Sequence, residues 1–394
     1  MQPALIFAFL LTSVSTFCGE PGLKWKVQIG KRSVSTPVVS DGAVYVGGAD
    51  SSFKALSLET GKTLWEMRTQ GPINSKALIA GKYVIFNGGD GQLYCILARE
   101  GKVRWTYAGD QEIRSDFADY FHSSPIMSGG IIYFGSGASM QAVDFETGKL
   151  LWKVSTGGVV HTTAAYHRGA LFFGSFDGFV YSVDAKDGSL RWKFKTVGHR
   201  YFPKGEVQGN PFVFNNLVFV GARDFNVYAL DADKGYCHWN KAFDKGWGLV
   251  TSVHDSVLYI GTADQRTLIA AHPQTGKEIW SKPMQFLQFG DFAFVADKII
   301  FGNTMGKLIE IAADDGQSGW TFMTDGYRTN RTKYFKEDDS YRDDIYLIIK
   351  SNEQFLEVEY QLGGIFSAPV VSADNILVTS SEGTLYCLRV SSAG

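Results

Sequence analysis

One eleven-residue segment recurs along this chain, with its fullest form at residues 142–152, AVDFETGKLLW, and variants ending at Trp65, Trp105, Trp192, Trp239, Trp280 and Trp320. With Trp25 included, successive tryptophans lie 40, 40, 47, 40, 47, 41 and 40 residues apart. Self-similarity at a period of roughly 40 residues indicates a propeller or a solenoid, whose units bury their apolar faces against one another. A small residue leads in every copy but the last, where Glu310 stands, a Gly follows six positions on, and the Trp four after that. The Gly suits a tight turn between strands, where positive φ is costly for any side chain. The Trp offers each unit a broad apolar plate to lay against its neighbour.

Each unit reads as four strands, in the first unit over 35–40, 43–48, 53–58 and 63–69, with Asp41-Gly42 turning the first pair. The residue that ends the second strand keeps the copies in register: Gly47, Asn87, Gly135, Gly174, Gly221, Gly261, Gly302 and Thr379. The eighth unit stops after its third strand, and a lone fourth strand with Trp25 sits at 23–29. That N-terminal strand is expected to complete the C-terminal blade, which removes two exposed sheet edges at once. The chain is therefore read as all-β, an eight-bladed β-propeller spanning 23–394. Residues 321–364 run about 37 beyond the repeat and are expected to be an insertion carrying a hairpin, 345–350 with 355–360.

Basic and acidic residues nearly balance, 38 against 40, and no basic stripe stands out in the sequence, so a nucleic-acid partner is not expected. The apolar run 4–11 followed by small residues resembles a secretory signal peptide over 1–18, and it is too short to span a membrane. The alternative is a buried apolar N-terminal segment. Cys18 is a candidate lipid-anchor cysteine, although Phe17 before it matches a lipobox poorly. Cys95 and Cys387 fall at the small position of the repeat and are expected to be buried. The four cysteines form no CxxC pair and no disulfide framework.

Ala142, Asp144, Thr147, Gly148 and Trp152 match the tryptophan-docking motif AxDxxTGxxxW of the quinoprotein-type propellers, and the repeat resembles that family over nearly the whole chain. The resemblance points to two groups. One is the pyrroloquinoline-quinone alcohol dehydrogenases, which are longer and carry a vicinal cysteine pair that this chain lacks. The other is the non-enzymatic BamB-like group of outer-membrane assembly proteins, which is similar in length, leader and blade number. It implies an exported, periplasmic or outer-membrane-associated scaffold with protein partners in the cell envelope, and no cofactor. A quinone-dependent oxidoreductase and a carbohydrate- or peptide-binding module stand as alternatives.

No HExxH, GxSxG or phosphate-loop motif is present. The acidic run around Asp338, Asp339, Asp343 and Asp344 lacks the spacing and turn Gly of a calcium loop and reads as a solvated loop. No metal site is expected. Thirteen positions before each anchor residue the chain carries Val34, Asn74, His122, His161, Gln208, Gly248, Phe289 and Phe366. Four consecutive blades are polar there, near one mouth of the central channel, where His122 and His161 are candidates for a metal or an anion. A wet channel lined by polar residues is the plainer alternative. The long connections 107–121 and 197–207 leave strand four, as does 321–364, so all three should rise around that mouth. They supply Phe117, Tyr120, Phe121, Arg200, Tyr201 and Phe202, a composition suited to protein binding. Equally, those aromatics fold back and plug the mouth.

Overall fold

The structure is a computed structural model and describes residues 20–116 and 118–390. The leader, Cys18 and Phe117 lie outside the described residues. Eight four-stranded antiparallel sheets stand around a central channel, each ordered from an inner first strand to an outer fourth. Blade one comprises Val38–Ser40, Ala43–Gly47, Ser52–Ser57 and Thr63–Arg68. Blade eight is built from Val370–Ser372, Asn375–Thr379 and Thr384–Arg389, and its fourth strand is Gly22–Gln28 from the other end of the chain. Trp25 pairs there with Cys387, and Gln28 with Thr384. The expected ring closure is thus the one observed.

The repeat acquires its physical meaning at the seams between blades. The ring of Trp105 lies so close to the turn of the next blade that a Cβ on Gly148 would come within 2.7 Å of it, and Gly148 has φ +68°. Both facts exclude a side chain. The indole N–H of Trp105 donates to the carbonyl of Phe145 at 3.0 Å. The same bond joins Trp25 to Leu58, Trp65 to Ala98, Trp152 to Ala185 and Trp192 to Ala232. The small residue is explained by register: Ala142 pairs directly with Trp152, Cys95 with Trp105. Directly paired side chains stand about 5 Å apart on one face of the sheet, so a small partner leaves room for the indole. Burial pushes the Cys95 and Cys387 thiols up to about 11, which keeps them as unreactive packing groups.

The anchor glycines answer to a second close approach. A Cβ on Gly135 would fall 2.0 Å from the carbonyl oxygen of Val160, and one on Gly302 would fall 2.1 Å from Ile365. Here the chain entering the next blade crosses against the end of strand two. The two non-glycine anchors use the proximity instead. Asn87 Nδ2 donates to the Gly135 carbonyl at 3.0 Å, and Thr379 Oγ1 to the Ser35 carbonyl at 2.7 Å.

Two expectations fail. Most inner strands are only three residues long, as in Val38–Ser40 and Ile126–Ser128, because ahead of them a side-chain hydroxyl replaces the backbone ladder: Ser123 accepts from the Gly135 N–H of its own blade and donates to the Thr162 carbonyl of the next. The expected hairpin is helical. The insertion between blades seven and eight folds as α1 (Asp325–Tyr334), α2 (Ile345–Ile348) and α3 (Asn352–Gln361). Ser351 caps α3 by accepting from the Gln354 N–H, and Glu353 sits in its first turn. Leu356, Val358 and Glu359 are its buried residues. The alternation in FLEVEY suggested a strand, but that stretch meets no second strand, and the cap with its helical contact face decides the outcome.

Candidate functional site

The three long connections converge on one mouth of the channel. On the side of blades six, seven, eight and one the mouth is packed with apolar side chains. Tyr120 lies 5.1 Å from Phe289 and 4.9 Å from Phe366, ring to ring, and α3 adds Leu356 and Tyr360 to the same cluster. Of the two courses open to the loop aromatics, Tyr120 folds inward, 6% exposed, and Phe202 packs edge-on against Trp247 at 5.2 Å. Phe121 is half-buried beside Tyr120. Tyr201 stays 63% exposed, with the Arg200 guanidinium 4.5 Å above its ring.

The other half of the mouth is polar, on blades two to five, and it is organised by charge. His161 is held between two buried carboxylates, Nδ1 to Asp119 at 2.8 Å and Nε2 to Glu112 at 3.0 Å. Burial by itself would lower its pKa, but the hydrogen bonds and charges of Asp119 and Glu112 more than offset this and push it up to about 9. His161 is therefore an imidazolium at neutral pH and donates from both nitrogens. Both acids belong to the connection 107–121, so the histidine rivets that loop to blade four. His122 stands 5.7 Å away, ring to ring, its pKa lowered by burial, and its Nδ1 has no partner.

A second rivet lies beside the first. Arg223, 1% exposed, makes a forked ion pair with Asp116 of the same loop, and its Nε donates to Gln208 at 2.7 Å. Gln208 in turn donates to the Ala118 carbonyl at 2.8 Å. The guanidinium stacks on Phe176 and Trp247 at 4.6 and 4.9 Å. The sequence reading found Gln208, His122 and His161 through the repeat but missed Glu112, Asp116, Asp119 and Arg223. Those four lie outside the repeat pattern, or just after a strand end, where no periodicity marks them.

Between the two halves remains a cavity of about 270 Å³, reached by Arg32, Asn74, Arg114, Asp119, His122 and Tyr360. Beneath it the channel opens to about 560 Å³. Its walls carry a ring of hydroxyl and amide bonds that stitches blade to blade. The Lys76 N–H donates to Ser124, the Ser124 N–H to Thr163, and the Thr163 N–H to Asn210, at 2.9, 3.0 and 2.8 Å. Much of the channel's polarity is thus structural. Among the described residues no cluster of three metal-ligating side chains is present.

In the acidic run of the insertion Asp338 and Asp343 are exposed, and Asp339 alone corrects the expectation of a solvated loop. Asp339 is not solvated. It pairs with Lys307 at 2.5 Å and Arg331 at 3.1 Å, and accepts from the Tyr327 hydroxyl at 2.5 Å. Lys307 and Arg331 offset the cost of burying its carboxyl and hold its pKa below the usual range. This cluster docks α1 on blade seven. Outward, the three elaborations leave apolar tips in solvent: Ile113 at 59%, Tyr201 at 63% and Tyr346 at 69% exposure.

The family model described as "Outer membrane protein assembly factor BamB" matches residues 20–194, 137–243 and 177–334. The BamB of Moranella endobia is 24% identical over 330 residues, covering 76% of this chain and 81% of that protein. A tetrathionate hydrolase of Acidithiobacillus ferrooxidans is 23% identical over 296 residues, 62% of this chain and 56% of that enzyme. The dehydrogenase subunit of a quinone alcohol dehydrogenase from Komagataeibacter europaeus is 34% identical over 226 residues, half of this chain but 28% of that one. Among solved structures, BamB from Moraxella catarrhalis superposes with a TM-score of 0.69 at 12% identity, covering 94% of this chain and all of that one, a likeness of fold.

Proposed function

We propose, on the premise that this chain belongs to the outer membrane protein assembly factor BamB family, that it is an exported, non-enzymatic scaffold that binds protein partners in the cell envelope. The observation that carries this reading is the mouth. The connection 107–121 is riveted over it by buried ion pairs, the insertion is docked by Asp339 on Lys307 and Arg331, and the apolar tips of all three connections, Ile113, Tyr201 and Tyr346, are left in solvent. Rigid loops with exposed aromatic tips are the ordinary equipment of a protein-binding face. Export rests on the apolar run at 4–11. A processed N-terminus between about residues 16 and 20, read by mass spectrometry of the native protein, supports it. An intact Met1 sinks it.

The quinone-enzyme alternative draws on the shared repeat and on the dehydrogenase relative. The mouth residues do not fit a quinone held with calcium. Tyr120, Phe289 and Phe366 occupy the space on one side, and the carboxylates on the other, Glu112 and Asp119, are both committed to His161. Calcium needs six or more oxygen ligands, roughly, at one point. The scaffold reading is tested with the triple variant I113S/Y201S/Y346S. Envelope proteins that co-purify with the native chain should be lost while the melting temperature stays put. Retention of all partners overturns the assignment of this face.

A further inference from the structure

Blade four carries a feature that neither the repeat nor the mouth explains. Its outer strand, Leu190–Lys195, and the connection after it expose Arg191, Lys193, Lys195, Arg200 and Lys204. Arg191 meets a carboxylate, Asp184 at 2.7 Å. Among the described residues the other four are in no ion pair. The Lys193 and Lys195 ammonium groups lie 4.7 and 5.2 Å from the Phe179 ring centre, Lys195 also reaches backbone carbonyls, and Arg200 lies over Tyr201. Asp187 is exposed in the turn before this strand, next to the exposed Lys186, and Glu206 is half-buried, but two acids beside the four cations have their carboxylates engaged. Asp177 accepts from the Tyr181 hydroxyl at 2.6 Å and the Gly157 N–H at 2.9 Å. Asp224, 2% exposed, accepts from the Tyr228 hydroxyl at 2.5 Å. The surface charge here is therefore positive and uncompensated, although the whole chain is near neutral.

This strand is also an edge. It pairs on one side with Phe179–Asp184 and, among the described residues, with no strand on the other. All eight blades end in such an edge, so the edge alone selects no partner, whereas the row of cations does. Lysines on an edge keep like copies from pairing with it. They leave it open to a strand of opposite charge. We infer that the outer edge of blade four is the docking site for an extended acidic segment of a partner protein. This rests on the scaffold reading above and names the chemistry of the partner. Lys193 and Lys195 stand two residues apart, about 7 Å along the strand, and alternate side chains of an added strand repeat at the same spacing. The partner's backbone would complete the ladder, its alternate carboxylates would meet the ammonium groups, and Val197, 73% exposed, and Tyr201 would take an apolar side chain beyond them. A lipid surface fits less well, because the strip is one strand wide and lies along a blade rim. Nucleic acid fits less well, because Tyr201 is a single exposed ring beside the strip, whereas a run of bases stacks on several.

The test uses the full chain and a fluorescein-labelled random copolymer of glutamate and tyrosine, read by fluorescence anisotropy. The native protein should bind it, more weakly as salt rises. The variant K193E/R200E/K204E should bind about tenfold more weakly or worse, as expected for three exposed charge pairs reversed. A control with the same charge change on the opposite face, K62E/K102E/K149E, should bind as the native chain does. Equal loss in both variants means unspecific attraction and overturns the site. So does tighter binding to anionic vesicles or to single-stranded DNA than to the copolymer. Envelope partners that survive in the strip variant sink this site alone. No partner for the native chain sinks the scaffold reading itself.

Discussion

The charge state of His161 should control how tightly the loop 107–121 is held. An imidazole moved from 6.5 to about 9 on folding contributes about 3 kcal/mol to the folded state. The folded pKa is the higher one, so the contribution is complete below about pH 6.5 and is lost as pH rises through about 9. Replacing His161 by Gln removes the positive charge while Glu112 and Asp119, at 4% and 1% side-chain exposure, stay buried. Leaving such carboxylates without their cation costs about 3–5 kcal/mol. H161Q should therefore be less stable than the native chain at pH 6, and the gap should close towards pH 10. The assay is urea unfolding across that range, with hydrogen exchange to localise the change. Faster exchange confined to 109–121 and the adjoining strand of blade four is expected. A gap between the two proteins that is constant with pH, or exchange that rises uniformly, would refute the ion-pair argument.

Four further substitutions report on the same packing and charges. Glu359 is buried, and burial outweighs the nearby Thr304 hydroxyl and pushes its pKa up to about 8, so the folded state holds a proton that the unfolded state releases above about pH 4.5. Its contribution is thus an instability that grows as pH rises from 4.5 to 8, and E359Q should stabilise the chain by about 3 kcal/mol at pH 7; an unchanged urea midpoint would count against it. Trp152→Ala should cost about 3–5 kcal/mol, since the ring is 8% exposed and donates to the Ala185 carbonyl, and Gly148→Ala should cost about 1–3 kcal/mol through its positive φ. Asp339→Ala should free the helical insertion from Lys307 and Arg331, giving protease cuts within 325–361 before any cut in the blades; simultaneous cutting of blades and insertion would contradict the docking role of this carboxylate.

The sequence by itself determined the ring. The spacing of Trp25 through Trp320 sets eight blades, and the missing strand at one terminus matches the surplus strand at the other. These were legible because each blade repeats one local solution, a small residue facing Trp across a ladder and a turn glycine beneath the next ring, and repetition makes a contact visible as a period. The polar half of the mouth was legible for the same reason, since Asn74, His122, His161 and Gln208 share one position of the repeat. What the tertiary structure decided lies outside any period. Glu112, Asp116 and Asp119 sit in a connection that occurs once, and only the fold brings them to His161 and Arg223. The insertion alternated like a hairpin but became helical, because its apolar side chains found a helix-sized contact on blade seven and the mouth rather than a second strand. Asp339 looked solvated among acids until Lys307, from a distant strand, reached it. The basic edge of blade four vanished in a balanced charge count, because the balance was struck over the whole chain, whereas a partner meets only the side chains that one strand turns outward.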